Sequence, residues 1–202
     1  MQTSTDFGKM KYKSYFKFRT KIKIESKASP RVTPSRDERY MALAFIYSFF
    51  SKDPKTQVGS QIVGKNNVPL GAGYNGPPRG VDDNEINWER PFKYKYINHS
   101  EINAILHSKR SKLKGSTIYV TAKPCPNCML DIVTNRIKRV VYYSGMELFD
   151  ANSTCKNKDL NDESDDIAKK CGVKLEPFRG NLHWILERIK FMEERGVFDH
   201  CL

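Results

Sequence analysis

The alternation of apolar and polar positions divides the chain into a helix, a hairpin and then helices and strands in turn. From Ser35 onward Tyr40, Met41, Ala44, Phe45 and Phe49 recur at helical spacing, and Ser35 followed by Glu38 forms a capping box, so a buried helix is predicted to start there. SKDPKTQ breaks it. VGSQIV and VPLGAGY then read as two short strands joined by the polar turn Gly64 to Asn67, a hairpin. Asn75 to Asn98 is rich in Gly, Pro, Asp and Asn and predicts a long irregular loop, a feature that inside a compact domain is often functional. Beyond it SEINAILHSKR predicts a helix, STIYVTA a strand, CPNCMLDIVTNRI a helix and KRVVYYSG a strand. A polar, acidic insert spans Asp150 to Asp166, ahead of a short helix around Ile167 to Lys170 and a strand near Val173 to Leu175. Asn181 is expected to cap a final helix whose Leu182, Ile185, Ile189 and Met192 form an apolar stripe, ended by Gly196; core packing or a subunit contact accounts for such a stripe. The whole is an α/β chain with a sheet covered by helices on both faces.

Composition changes this picture only at the N-terminus. A chain of 202 residues, 39% apolar, has material for one core, so a catalytic domain over 37–180 is expected between an N-terminal segment, 1–36, and a C-terminal helix, 181–202. Of the net charge of +12, residues 1–36 supply +8, with ten Lys/Arg against Asp6 and Glu25. The basicity therefore belongs to a mobile or subunit-wrapping arm and not to the domain, which argues against nucleic acid as the main partner. The longest apolar stretch, Tyr40 to Phe50, is eleven residues, short of the roughly 20 that cross a bilayer, and no secretory signal is evident. Five cysteines with one close pair do not form a disulfide framework. A reducing, cytoplasmic setting is expected, with Cys155, Cys171 and Cys201 as buried or idle thiols.

The chemistry lies in two short segments. Cys125 and Cys128, in Pro-Cys-Pro-Asn-Cys, fall where a strand gives way to a helix, and the first helical turn lets both sulfurs face one point while its N–H groups and dipole favour thiolate. His99 opens the preceding helix and is the expected third zinc ligand; three protein ligands leave an open position for an activated water. Glu101, two residues on, faces the same pocket without ligating the metal and is the expected proton carrier. H-x-E followed by P-C-x-x-C is the known pattern of zinc nucleobase deaminases. His107, His183 and His200 lack partner spacing for a second site and are expected to be structural or exposed.

With these motifs in place, the chain resembles the deoxycytidylate (dCMP) deaminases of the cytidine deaminase superfamily over about residues 37–180, through SKDPKTQVG, GAGYNGPPRG, NHSEINAI, YVTAKPCPNC and IKRVVYYS. The resemblance implies a three-layer α/β/α cytidine-deaminase-like fold around a mixed five-stranded sheet. It also implies conversion of dCMP and water to dUMP and ammonia, and a homo-oligomer, commonly a hexamer, activated by dCTP and inhibited by dTTP with Mg2+. Position by position it implies Zn2+ on His99, Cys125 and Cys128, proton shuttling by Glu101, Asn75 at the sugar or base, and the carbonyl of Ala122 or Lys123 as acceptor for the exocyclic amine. Lys52, Lys123 and Arg79 are the candidates for phosphate, Arg79 also for an effector. The chain departs from the pattern at Ser100, where relatives usually carry Ala, and over Gly145 to Phe149, where a tyrosine hydroxyl near the phosphate is missing. The alternatives are therefore dCTP or a dual dCMP/dCTP substrate, a polynucleotide (tRNA or single-stranded DNA) deaminase using the basic arm, and a catalytically idle nucleotide-binding regulatory subunit.

Overall fold

Side chains alternate across the strands into two separate cores, and this alternation defines the layers. The computed structural model describes residues 33–145 and 158–198. Five strands, β1 (Gly59–Val63), β2 (Pro69–Tyr74), β3 (Thr117–Val120), β4 (Arg139–Tyr142) and β5 (Lys174–Pro177), form one sheet in the order β2-β1-β3-β4-β5. β1 is antiparallel to β2 and β3, whereas β3, β4 and β5 run parallel, so the sheet is mixed. On one face Ile62, Ile118, Val120 and Val140 pack with helices α2 (Ser100–Leu106), α3 (Pro126–Thr134) and α4 (Lys158–Lys170). On the other, Val63, Tyr119 and Val141 pack with Tyr40, Met41 and Ala44 of α1 (Arg36–Ser48). Period-two alternation in short β-rich runs is what separates the two cores.

Helix α1 begins as expected, with both halves of the Ser35–Glu38 capping box formed. Its Asp37 reaches across to Arg139 of β4, 2.6 Å away, and accepts from the Tyr119 hydroxyl at 2.8 Å. Arg139 in turn meets Glu176 of β5 at 2.7 Å, so one guanidinium ties α1 to β4 and β5. The Arg139 hydrogen bond holds the Asp37 carboxyl below the usual aspartate range, against the opposing effect of burial.

Close backbone approach sets the position of α2. At Gly73 a Cβ would lie 2.4 Å from the Ala104 nitrogen and 2.6 Å from the Ser100 oxygen. Glycine there lets the start of α2 lie directly on β2. The long loop between them is closed at its base, where Gly76 and Asn98 exchange hydrogen bonds of 3.1 and 2.9 Å. A stretch of irregular chain therefore returns to the sheet before α2 begins.

Three expectations need correction. The second half of the acidic insert is helical: α4 starts at Lys158, and its inward face is carried by Leu160, Ser164, Ile167 and Ala168, a stripe too polar to register as apolar periodicity. The helix after the loop stops at Leu106, with a separate 3-10 turn at Arg110–Lys112. The last helix, α5 (His183–Glu193), has Leu182 as its cap residue, while Asn181 accepts from the His183 N–H at 2.7 Å. Of its stripe, Leu182 packs against the core beside α1, Ile185 and Met192 are half-buried, and Ile189 is exposed. Residues 1–32, carrying the basic arm, and 146–157, carrying most of the altered stretch, lie outside the described residues. Among the described residues no helix is long and apolar enough to cross a membrane.

Two measurements follow. Gly73→Ala is expected to cost about 2 kcal/mol by overpacking against α2, read as a lower urea midpoint. Asp37→Asn is expected to lower stability by about 1 kcal/mol at neutral pH. Because the folded-state pKa of Asp37 lies below its unfolded value, that stability is complete above the unfolded pKa and lost as pH falls through the folded one, so the two proteins should converge in acid.

Candidate active site

Helices α2 and α3 both begin at the same end of the sheet, following the carboxyl ends of β2 and β3. Their cap positions are His99 and Cys125, and neither side chain makes a capping hydrogen bond. Ser, Thr, Asp or Asn at a cap contributes about 1 kcal/mol; here both helices forgo it, and the two side chains turn toward each other. Pro126, as the first helical residue, fixes the backbone after Cys125. Cys128 follows within the same turn and is buried, while His99 is at the open side.

His99 Nδ1 lies 3.5 Å from Cys125 Sγ and 3.3 Å from Cys128 Sγ, and the three donor atoms are all within 4.8 Å of one another. A tetrahedral zinc with ordinary Zn–S and Zn–N bonds would place such an N and S about 3.6 Å apart. The set fits that ion. The three groups are coupled through their protons: the Cys125 thiol is held down to about 4, chiefly by its hydrogen bond with Cys128, and His99 is pushed up to about 9, chiefly by its bond with Cys125. The Cys128 thiol is driven upward by the same sulfur pair and by burial. A cation would replace these shared protons and relieve the crowding.

Glu101 is 4% exposed and lines the cleft beside the donor set. Burial raises its carboxyl above the usual glutamate range. The segment leading to Cys125 is fixed from α4, where Ser164, fully buried, donates to the Pro124 carbonyl at 2.9 Å.

The other expected residues divide. Asn75, Ala122 and Lys123 line the cleft with the donor set. Asn75 is also a structural tie: its Oδ1 accepts from Val58 N–H and its Nδ2 donates to the Thr56 carbonyl, both at 2.8 Å, leaving a lone pair on Oδ1. The Lys123 ammonium turns toward α4, where it meets Asp165 at 2.9 Å and the Asn161 carbonyl at 3.2 Å. Lys52 is not part of the cleft lining; it is exposed and ion-paired with Asp83. Arg79 lines a different groove with Tyr74, Asn98 and His107. His107 bonds the Ala72 carbonyl at 3.0 Å and His183 is exposed near Glu187, while Cys171 is an exposed thiol; His200, Cys155 and Cys201 lie outside the described residues.

Sequence reasoning missed the cations that do line the cleft, Arg90 and Lys93. Lys93 is 3% exposed and pairs at 2.5 Å with the equally buried Asp53, whose other oxygen accepts the Lys55 and Thr56 amides. Arg90 donates to the Thr56 hydroxyl at 2.9 Å. Within FKYKY a lysine reads as one solvated charge among several. Only Asp53, forty residues away in sequence, makes it a buried one.

Fold and site together define a hydrolase of the cytidine-deaminase type, with a His-Cys-Cys donor set and an adjacent buried carboxylate. A family model described as the cytidine and deoxycytidylate deaminase zinc-binding region matches residues 34–144, and the chain belongs to that family. It is 39% identical over 132 residues to a probable deoxycytidylate deaminase of Caenorhabditis elegans, covering 61% of this chain and 67% of that protein. Against the deoxycytidylate deaminase of Homo sapiens it is 40% identical over 113 residues, 53% of this chain and 64% of the relative. The match thus spans about two thirds of the curated relatives' length. Among solved structures, the dCMP deaminase of cyanophage S-TIM5 in complex with dCMP and dUMP superposes with a TM-score of 0.54 at 26% identity, covering 73% of this chain and all of that one.

Cys128→Ala is expected to reduce bound zinc from near-stoichiometric to a small residue, measured by elemental analysis after dialysis, while Lys52→Ala leaves it unchanged.

Proposed function

We propose that this protein deaminates the cytosine ring of dCMP, converting dCMP and water to dUMP and ammonia. The observation that carries this reading is that His99 and Cys125, with the buried Cys128 next to them in one donor set, line a cleft together with the buried carboxylate of Glu101. The relatives named as deoxycytidylate deaminases, and the phage enzyme crystallised with dCMP and dUMP, support the choice of substrate. Zinc held by the three donors would supply a Lewis acid with an open position at which water loses a proton near neutral pH.

Every remaining step belongs to the chain. Glu101 takes a proton from the attacking water and delivers it to ring N3, then helps protonate the amine at C4, so that the group that leaves is ammonia. Its burial raises its proton affinity, the direction that suits a group that must hold a proton and release it. The Ala122 or Lys123 carbonyl accepts from the exocyclic amine, and the lone pair left on Asn75 orients the sugar or base. Arg90, with Lys93 beside it, faces the 5′-phosphate in place of Lys52, because both line the cleft wall and Lys52 does not; the ammoniums of Lys93 and Lys123 are themselves held by Asp53 and Asp165.

The reading extends to regulation. The groove of Tyr74, Arg79, Asn98 and His107, on the far side of the GYNG turn, would take dCTP or dTTP with Mg2+ as effector. The exposed apolar side chains of α5 suit a homo-oligomer, with a hexamer as the expected size, acting in the cytoplasm.

Purified zinc-loaded protein should release ammonia from dCMP, with dCTP, deoxycytidine and single-stranded DNA as comparison substrates. Glu101→Ala should lower kcat by about a thousandfold while retaining zinc, and Arg90→Ala should raise KM for dCMP about tenfold with little effect on deoxycytidine. Undiminished turnover in Glu101→Ala, or no turnover of any cytosine nucleotide by the wild type, would reject the reading.

A further inference from the structure

Beside Glu101 the deamination scheme leaves a pair of hydroxyls unused, Ser100, which lines the cleft with it, and Ser60 on β1. Ser60 of β1 and Ser100, the first residue of α2, are both fully buried, with their Oγ atoms 2.6 Å apart. Ser100 Oγ is 3.0 Å from Glu101 Oε2. Among the described residues neither hydroxyl has another hydrogen-bond partner. Proton counting then sets the direction of the chain. When Glu101 is ionised its carboxylate only accepts, so Ser100 commits its single proton to Glu101 and Ser60 donates to Ser100.

We propose that Ser60 and Ser100 form a positioning relay for Glu101, tying back Oε2 so that the other carboxylate oxygen is the one presented to the substrate. This rests on Glu101 being the proton carrier. A glutamate at the second helical position retains freedom in its side-chain torsions, and proton transfer is sensitive to the placement of the receiving oxygen. A hydrogen bond from a buried hydroxyl to a charged oxygen removes that freedom. Donation from Ser60 polarises Ser100 and makes it the stronger donor. Two alanines would fill the same place without the cost of burying two hydroxyls, so the polar pair is stabilised only by the bonds it makes. Its position also follows from the fold: Ser60 sits opposite Gly73 in the hairpin register, and the glycine lets Ser100 descend to within reach of it.

The test uses Ser100→Ala, Ser60→Ala and the double variant, each as the full zinc-loaded chain. For Ser100→Ala the expected result is a roughly fivefold fall in kcat for dCMP with KM and zinc content unchanged. Ser60→Ala should lose about twofold, and the double variant no more than Ser100→Ala alone, because Ser60 acts only through Ser100. A crystal structure of zinc-loaded Ser100→Ala should show the Glu101 carboxylate rotated away or spread over several rotamers, a result that does not depend on which nucleotide is turned over. An unmoved carboxylate overturns the proposal whatever the substrate proves to be. So does unchanged kcat in an enzyme that turns over dCMP, or losses that multiply independently alongside lowered melting temperatures, which would mark the pair as a fastening of helix to sheet.

Discussion

Two helices start against each other, and the positions where each would ordinarily carry its capping side chain hold His99 and Cys125 instead. The rest of the structure depends on that juxtaposition. It requires β2 and β3 to end on the same side, which the antiparallel β1 between them ensures. It requires α2 to lie close on β2, which Gly73 permits, and the loop before it to return to the sheet, which the Gly76–Asn98 bridge provides. The uncapped N–H groups of both helices point toward the donor set, and their partial positive charge favours thiolate there. What the helices forgo in capping is offset by packing elsewhere and by whatever cation the three donors hold.

Around that centre the polar groups form two walls of different character. One is built from the SKDP turn and the irregular loop, locked by Asp53 and Lys93, a charge pair buried on both sides. Removing one partner of such a pair leaves an unpaired buried charge, so the pair fixes the loop against the SKDP turn. The other wall comes from α4, where Ser164 anchors the Pro124 carbonyl and Asp165 engages Lys123. The two lysines that line the site are thus each tied to one wall, Lys93 to Asp53 of the SKDP turn and Lys123 to Asp165 of α4.

Much of this was legible in the residues themselves. The capping box at Ser35, the hairpin and the alternating strands are local signals set by spacing and by the chemistry of a few side chains, and the structure reproduces them; it also brings His99, Cys125 and Cys128 within 4.8 Å of one another. Helix α4 escaped because its buried face uses Ser164 and Ala168 where a conventional stripe would have leucines. Lys93 and Arg90 escaped because their significance comes from Asp53 and Thr56, partners contributed by a distant turn. Lys52 was attractive because it lies in a shared motif, yet the turn directs its side chain outward to Asp83. Ser100 was visible as a departure from the family pattern, but its partner Ser60 emerges only once β1 and α2 are packed together.

The central claim is that one cleft brings the cytosine ring, the metal donors and Glu101 together. A crystal structure of the zinc-loaded Glu101→Gln protein soaked with dCMP tests it most directly. The account predicts the ring in the cleft with C4 toward the metal and the residue 101 side chain, and the phosphate beside Arg90 and Lys93. Nucleotide bound only in the groove at Arg79, or with its ring turned away from the donor set, would contradict it.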